Sequence, residues 1–141
     1  LLLFSSALEF VAKKIKMKNL IIDAAADKIF FKIIIDNKSY TSDYPNSREN
    51  FEKLTILLFN FLLENSVKIE EINNIFINQG PGKFSGIRSS IAVAKALSFI
   101  NETNLYGFDA KDAKDQKYDK ILDLFNKGLL TKNLIKPQYS S

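Results

Sequence analysis

The sequence has 141 residues, which suits one domain, and 46% of them are hydrophobic, enough to bury a core. It contains neither cysteine nor histidine. That excludes disulfides, thiolate metal sites and cysteine nucleophiles, and leaves an enzyme only Asp, Glu, Lys and Tyr to work with. The formal net charge of +4 is carried mostly by lysine, since Arg48 and Arg88 are the only arginines, and no basic run is interleaved with aromatics as RNA binding would favour.

Taken in chain order, residues 1–16 precede Met17, the only methionine. They are expected to be an extension upstream of the true start, although Leu3, Leu8, Val11 and Ile15 can share one side of a helix. No signal peptide is read there, because no basic segment precedes Leu1 to Phe4. Lys18 to Asp23 reads as a first strand and Lys28 to Ile35 as a second. Asp36-Asn37-Lys38 is a hairpin turn, and Ser39 to Ser42 a third strand. A helix then runs from Pro45-Asn46-Ser47 to about Glu64, with Asn46 as cap and Glu49 three residues on. Its apolar run Leu54–Leu63 is interrupted by Asn60 and falls short of the roughly 18 residues of a membrane span, so the expected setting is the cytoplasm, without a membrane.

Residues 68–72 read as a connector and 73–78 as a fourth strand. A glycine loop at 80–86 follows and opens a helix ending near Asn101. Residues 105–108 make a fifth strand. Residues 111–117 read as a solvated linker, 118–126 as a short amphipathic helix ended by Gly128, and 129–141 as a tail. The order β-β-β-α-β-α-β predicts an α/β domain with a mixed sheet, antiparallel at one edge and parallel beyond.

Three readings of the glycine loop compete. A Walker phosphate loop fails, because Gly82-Lys83 is followed by Phe84 and Ile77 stands where the first glycine belongs. A dinucleotide-binding turn would use Gly80, Gly82 and Gly86, with Asp109 at the end of the next strand as the ribose acid. Against it, Pro81 removes a donor from the cradle and the turn lies on the fourth strand rather than the first. The third reading is structural, with glycines permitting a tight turn and close packing.

The two helices are unusually apolar. On the first, Leu54, Leu57, Leu58, Phe61 and Leu62 form a core face with Phe51, while Ile56, Phe59 and Leu63 lie on another side. Apolar residues then cover about 260° of the wheel, against roughly 100° for a surface helix. On the second, Ile87, Ile91, Ala94 and Ser98 suit the sheet. Ser89, Ala92, Val93, Ala96 and Ile100 form a flat small-residue face. These surplus faces fit either a helix-to-helix protein interface or burial under other parts of the same chain.

Gly80-Pro81-Gly82-Lys83-Phe84-Ser85-Gly86-Ile87-Arg88 resembles the GPGSFTGLR signature of the TsaB (YeaZ) family, bacterial partners in making threonylcarbamoyladenosine on tRNA. Met17-Lys18-Asn19-Leu20-Ile21-Ile22-Asp23 is similar to that family's opening strand. The segments starting at Asn46 and Leu105 are similar to its first helix and to the strand after the signature. The resemblance spans about residues 17–110 and implies an actin-like, RNase H-like N-terminal domain, with 111–141 the remnant of a second domain that is largely missing. It also implies a non-catalytic scaffold that heterodimerises with a TsaD-like homologue through the first two helices, joined by a TsaE-like ATPase. The interface would fall on Ile56, Phe59, Leu63, Ser89, Ala92, Val93 and Ala96, with Gly80, Pro81, Gly82, Phe84, Ser85, Gly86 and Arg88 as the signature loop. No catalytic residue, metal or cofactor is expected on the chain alone. ATP would enter with the assembled complex, and tRNA only through it. Ala24-Ala25 replace the family's hydroxyls after Asp23. A small nucleotide-binding protein using 80–86 is the alternative function, and a homodimer the remaining partner class.

Overall fold

The computed structural model describes residues 17–139, so the expectations for 1–16 lie outside the described residues. Six strands form one sheet in the order β3-β2-β1-β4-β5-β6. Strands β1 (Lys18–Asp23), β2 (Lys28–Ile35) and β3 (Lys38–Pro45) are an antiparallel meander. Strands β4 (Asn74–Asn78) and β5 (Asn104–Phe108) run parallel to β1, each reached through a helical crossover, as parallel pairing requires. The central strands β1 and β4 are apolar runs because both faces of the sheet are covered there.

On one face, helices α1 (Arg48–Glu52), α2 (Leu54–Glu64) and α3 (Phe84–Asn101) close the main core. Leu54, Leu58, Phe61 and Leu62 of α2 meet Ile87, Ile91, Ala94 and Leu97 of α3 in that core over Leu20, Ile22, Ile75 and Ile77. On the other face, helix α4 (Asp119–Asn126) packs Ile121, with Tyr118 just before it, against Ile21, Phe30, Phe76 and Phe108.

Several expectations are corrected. The first helix is two, broken at Lys53. Its cap is Ser47, whose hydroxyl accepts from the Asn50 N–H at 3.3 Å, while the Asn46 Nδ2 donates to the Ala24 and Ala26 carbonyls, both at 2.8 Å, and holds that side chain against the end of β1. The charged linker is wound into 3-10 turns over Ala110–Gln116 with Ala113 buried. The tail is not loose. Thr131–Lys132 forms β6 on the edge of β5, Ile135 enters the main core, and the Gln138 N–H donates to the Gln79 carbonyl at 2.7 Å. The third strand extends to Pro45, beyond the expected Ser42, because all eight of its residues pair with β2.

Candidate functional site

The glycine loop leaves the buried end of β4 and starts α3. Its glycines are taken up by contacts with the end of β1. A Cβ on Gly82 would lie 2.1 Å from the Ala25 carbonyl oxygen, and one on Gly86 would lie 2.4 Å from that of Ala24 and 2.7 Å from the Asn46 amide. Two of the loop's donors are engaged within the chain: Lys83 N–H donates to the Ala25 carbonyl at 2.8 Å and Gly80 N–H to Asn78 Oδ1 at 2.8 Å. Lys83 Nζ faces Asp27 at 3.3 Å. This is the geometry of a turn that fixes α3 against β1, with Pro81 and Ser85 at the surface.

Phe84 projects from the first turn of α3. Its ring stacks on Tyr139 with centroids 5.1 Å apart, and the Arg88 guanidinium lies 5.1 Å from its centre. Phe84, Ser85 and Arg88 share a groove of about 370 Å³ with Ser89, Ala92 and Phe51 of α1. The signature residues and part of the small-residue face of α3 are therefore brought together.

The other predicted interface residues lie where a second molecule can reach them. On α2, Ile56 is 61% exposed, Phe59 41% and Leu63 77%. On α3, Ala92 and Ala96 are exposed and Ser89 and Val93 half-buried. The wheel assigned no role to Phe99, which is 88% exposed near the end of α3, next to the exposed Ile100. Ser98 is half-buried while Leu97 takes the core position. Among the described residues, the surplus apolar face of α2 is thus not covered by the chain itself.

The loop and Asp109 do not converge on one cavity. Asp109 accepts from Gln138 Nε2 at 2.8 Å and lines a hollow of about 270 Å³ beside Gln79, Gly107 and Lys120. Pro81 instead lines a cleft of about 430 Å³ at the ends of β1 and β4, with Asp23, Asn78, Lys28 and Lys114. A dinucleotide turn needs its glycines and its ribose acid around the same ligand.

Asp23 lies at the floor of that cleft. It is only 6% exposed and accepts from Ala25 N–H at 3.1 Å, Asn78 Nδ2 at 3.0 Å and the Tyr118 hydroxyl at 2.8 Å. Burial raises its pKa above the ordinary aspartate value, and the three donors only partly oppose this. Burial and the neighbouring carboxylate push the Tyr118 hydroxyl the same way. Sequence patterns point to Asp23 but not to Tyr118, whose partner is 95 residues away and leaves no local signal.

A family model described as TsaD, tRNA N6-adenosine threonylcarbamoyltransferase, matches residues 34–113, more than half of the chain. The chain belongs to this family. Two curated relatives are TsaB proteins, described as tRNA threonylcarbamoyladenosine biosynthesis proteins. That of Buchnera aphidicola subsp. Schizaphis graminum (strain Sg) is 26% identical over 70% of this chain and 47% of its own length. That of Buchnera aphidicola subsp. Baizongia pistaciae (strain Bp) is 29% identical over 54% of this chain and 34% of its own length. The chain thus spans half or less of the curated TsaB relatives it matches. YeaZ from Pseudomonas aeruginosa superposes with a TM-score of 0.66 at 18% identity, covering 79% of this chain and 50% of that one. Within the family the chain is a TsaB/YeaZ member with the expected actin-like, RNase H-like sheet. Among the described residues, no helix is long and apolar enough to cross a membrane.

Proposed function

We propose that this TsaB/YeaZ member is a non-catalytic subunit that heterodimerises with a TsaD-like enzyme and supports threonylcarbamoyladenosine modification of tRNA. The names of the curated relatives supply the pathway. The observation that carries the partner role is the exposed face Ile56, Phe59 and Leu63 on α2, a helix that packs beside α3 and its small-residue face. Each such side chain is worth about 1.5–3 kcal/mol when removed from water, so this face favours association. A scaffold role also fits the glycine loop, whose Gly80, Gly82 and Gly86 lie too close to neighbouring backbone to admit a side chain. In this reading a TsaE-like ATPase brings ATP to the assembled complex, and tRNA is met only there.

The test is co-purification of the chain with the TsaD homologue of the same organism. Wild-type chain is expected to form a stable complex at micromolar concentration. Phe59→Asp places a charge in the contact and is expected to cost about 2 kcal/mol or more, roughly thirtyfold in affinity. A chain that forms only a homodimer, or a Phe59→Asp variant that binds as well as wild type, would contradict the proposal.

A further inference from the structure

The cleft at the ends of β1 and β4 is walled on one side by the chain's own C-terminal part. Asp23 is a buried polar group of its lining, and its carboxylate accepts from Ala25 and Asn78 on Oδ1 and from Tyr118 on Oδ2. Ala25 and Asn78 belong to the sheet end itself. Tyr118 is different, because it is delivered by a strap, residues 110–126, that supplies Ala110, Ala113, Lys114, Asp115 and Gln116 to the cleft wall.

The strap has the construction of a unit that moves whole. Its two parts are tied to each other by Lys120 Nζ on Asp112 at 2.7 Å, so that ion pair travels with it. Asp115 and Gln116 both stand in the left-handed region at φ 57° and 58°, conformations that bulky L-residues adopt only when their surroundings hold them there. At its far end Gly128 has φ 70°. Several contacts fasten the strap: Phe125 meets Phe76 at 5.2 Å and Tyr106 at 4.9 Å, the Ala110 N–H donates to the Gly80 carbonyl at 2.9 Å, and Tyr118 adds a side-chain hydrogen bond to Asp23. The Tyr118 ring stacks on Phe30 at 5.3 Å and meets Phe108 edge-on at 6.1 Å, which aims its hydroxyl at Asp23. Beyond it, Ala113 and Ile121 are buried against the sheet while Leu122 and Phe125 are only partly buried.

We propose that Tyr118 is a latch: its bond to Asp23 Oδ2 helps hold residues 110–126 against the cleft, and a ligand that takes that oxygen must displace it. The latch keeps a buried acid supplied with a donor while denying that oxygen to other molecules. Release frees one carboxylate oxygen and widens the cleft in the same movement, since the fastening residue and the wall segment are continuous in the chain.

Tyr118→Phe tests this with the full chain, because it keeps the ring stack and removes only the hydroxyl. Hydrogen exchange followed by mass spectrometry is expected to show amides of 113–126 exchanging at least tenfold faster in the variant, with those of β1 and β4 unchanged. Labelling by carbodiimide with an amine is expected to reach Asp23 at least tenfold faster in the variant than in wild type. Equal acceleration across the strap, β1 and β4 would mean general destabilisation and overturn the latch. So would an unchanged strap, or wild-type Asp23 labelled as readily as the exposed Asp115.

Discussion

Lys83 donates its backbone N–H to the carbonyl oxygen of Ala25 at 2.8 Å, fastening the glycine loop to the end of β1. The neighbouring Gly82 makes that bond attainable, since any side chain there would collide with the Ala25 backbone. Gly82→Ala is therefore expected to push the loop off β1 and destabilise the chain by about 1–3 kcal/mol, the usual cost of overpacking. Urea denaturation read by far-UV circular dichroism checks it; a midpoint equal to wild type would mean the loop tolerates the displacement.

Buried and exposed phenylalanines of α2 should behave oppositely. Phe61 is 1% exposed and lies 5.7 Å from the Phe31 ring, so Phe61→Ala is expected to cost about 3–5 kcal/mol. Phe59→Asp changes a side chain on the open face and is expected to shift stability by no more than about 0.5 kcal/mol. Thermal melts of the two variants decide between an open face and a core position. Unfolding of the Phe59→Asp variant would show that the face is core.

Asp23 gives the stability a pH signature. Its folded-state pKa is raised by burial, so the folded chain binds its proton more tightly than the unfolded chain. Stability from this group is present below the ordinary aspartate range and is lost as pH rises through the raised folded value. At neutral pH the chain carries a buried carboxylate with no cation among its hydrogen-bond partners. Asp23→Asn is expected to raise the melting temperature at pH 7, with the gain shrinking on acidification as the carboxyl takes up its proton, above the ordinary aspartate range. A gain that grows on acidification would contradict the burial argument.

The closely packed glycine loop also makes a prediction about nucleotides. Titration of the isolated chain with ATP, NAD and NADP, followed by calorimetry, is expected to show no saturable binding up to millimolar concentration. Saturable binding that is lost in an Asp109→Ala variant would instead support a dinucleotide site.

Most of the sheet was legible because its signals are local. The apolar runs and turn residues of 18–42 and the strand-glycine-helix passage at 74–101 each announce themselves within a few residues. The surplus face of α2 was legible for the same reason, since helical periodicity needs no knowledge of the rest of the fold. What escaped depends on partners far along the chain. Asn46 has the chemistry of a cap, but its Nδ2 donates to two carbonyls some twenty residues back and holds the side chain there, and Ser47 makes the cap. The lysine-rich 110–117 segment looks solvated because only Ala113 and the following Tyr118 turn fully inward. The tail looks loose because β6 is two residues long and, among the described residues of the tail, Ile135 alone is deeply buried.

Reconstitution of tRNA modification tests the central claim most directly. Purified TsaD-like and TsaE-like proteins of the same organism, with ATP, the threonylcarbamoyl donor and unmodified tRNA, would be assayed for threonylcarbamoyladenosine with and without this chain. The account predicts little product without the chain, full activity with it, and a loss with the Phe59→Asp variant. Equal product in its absence would contradict the account.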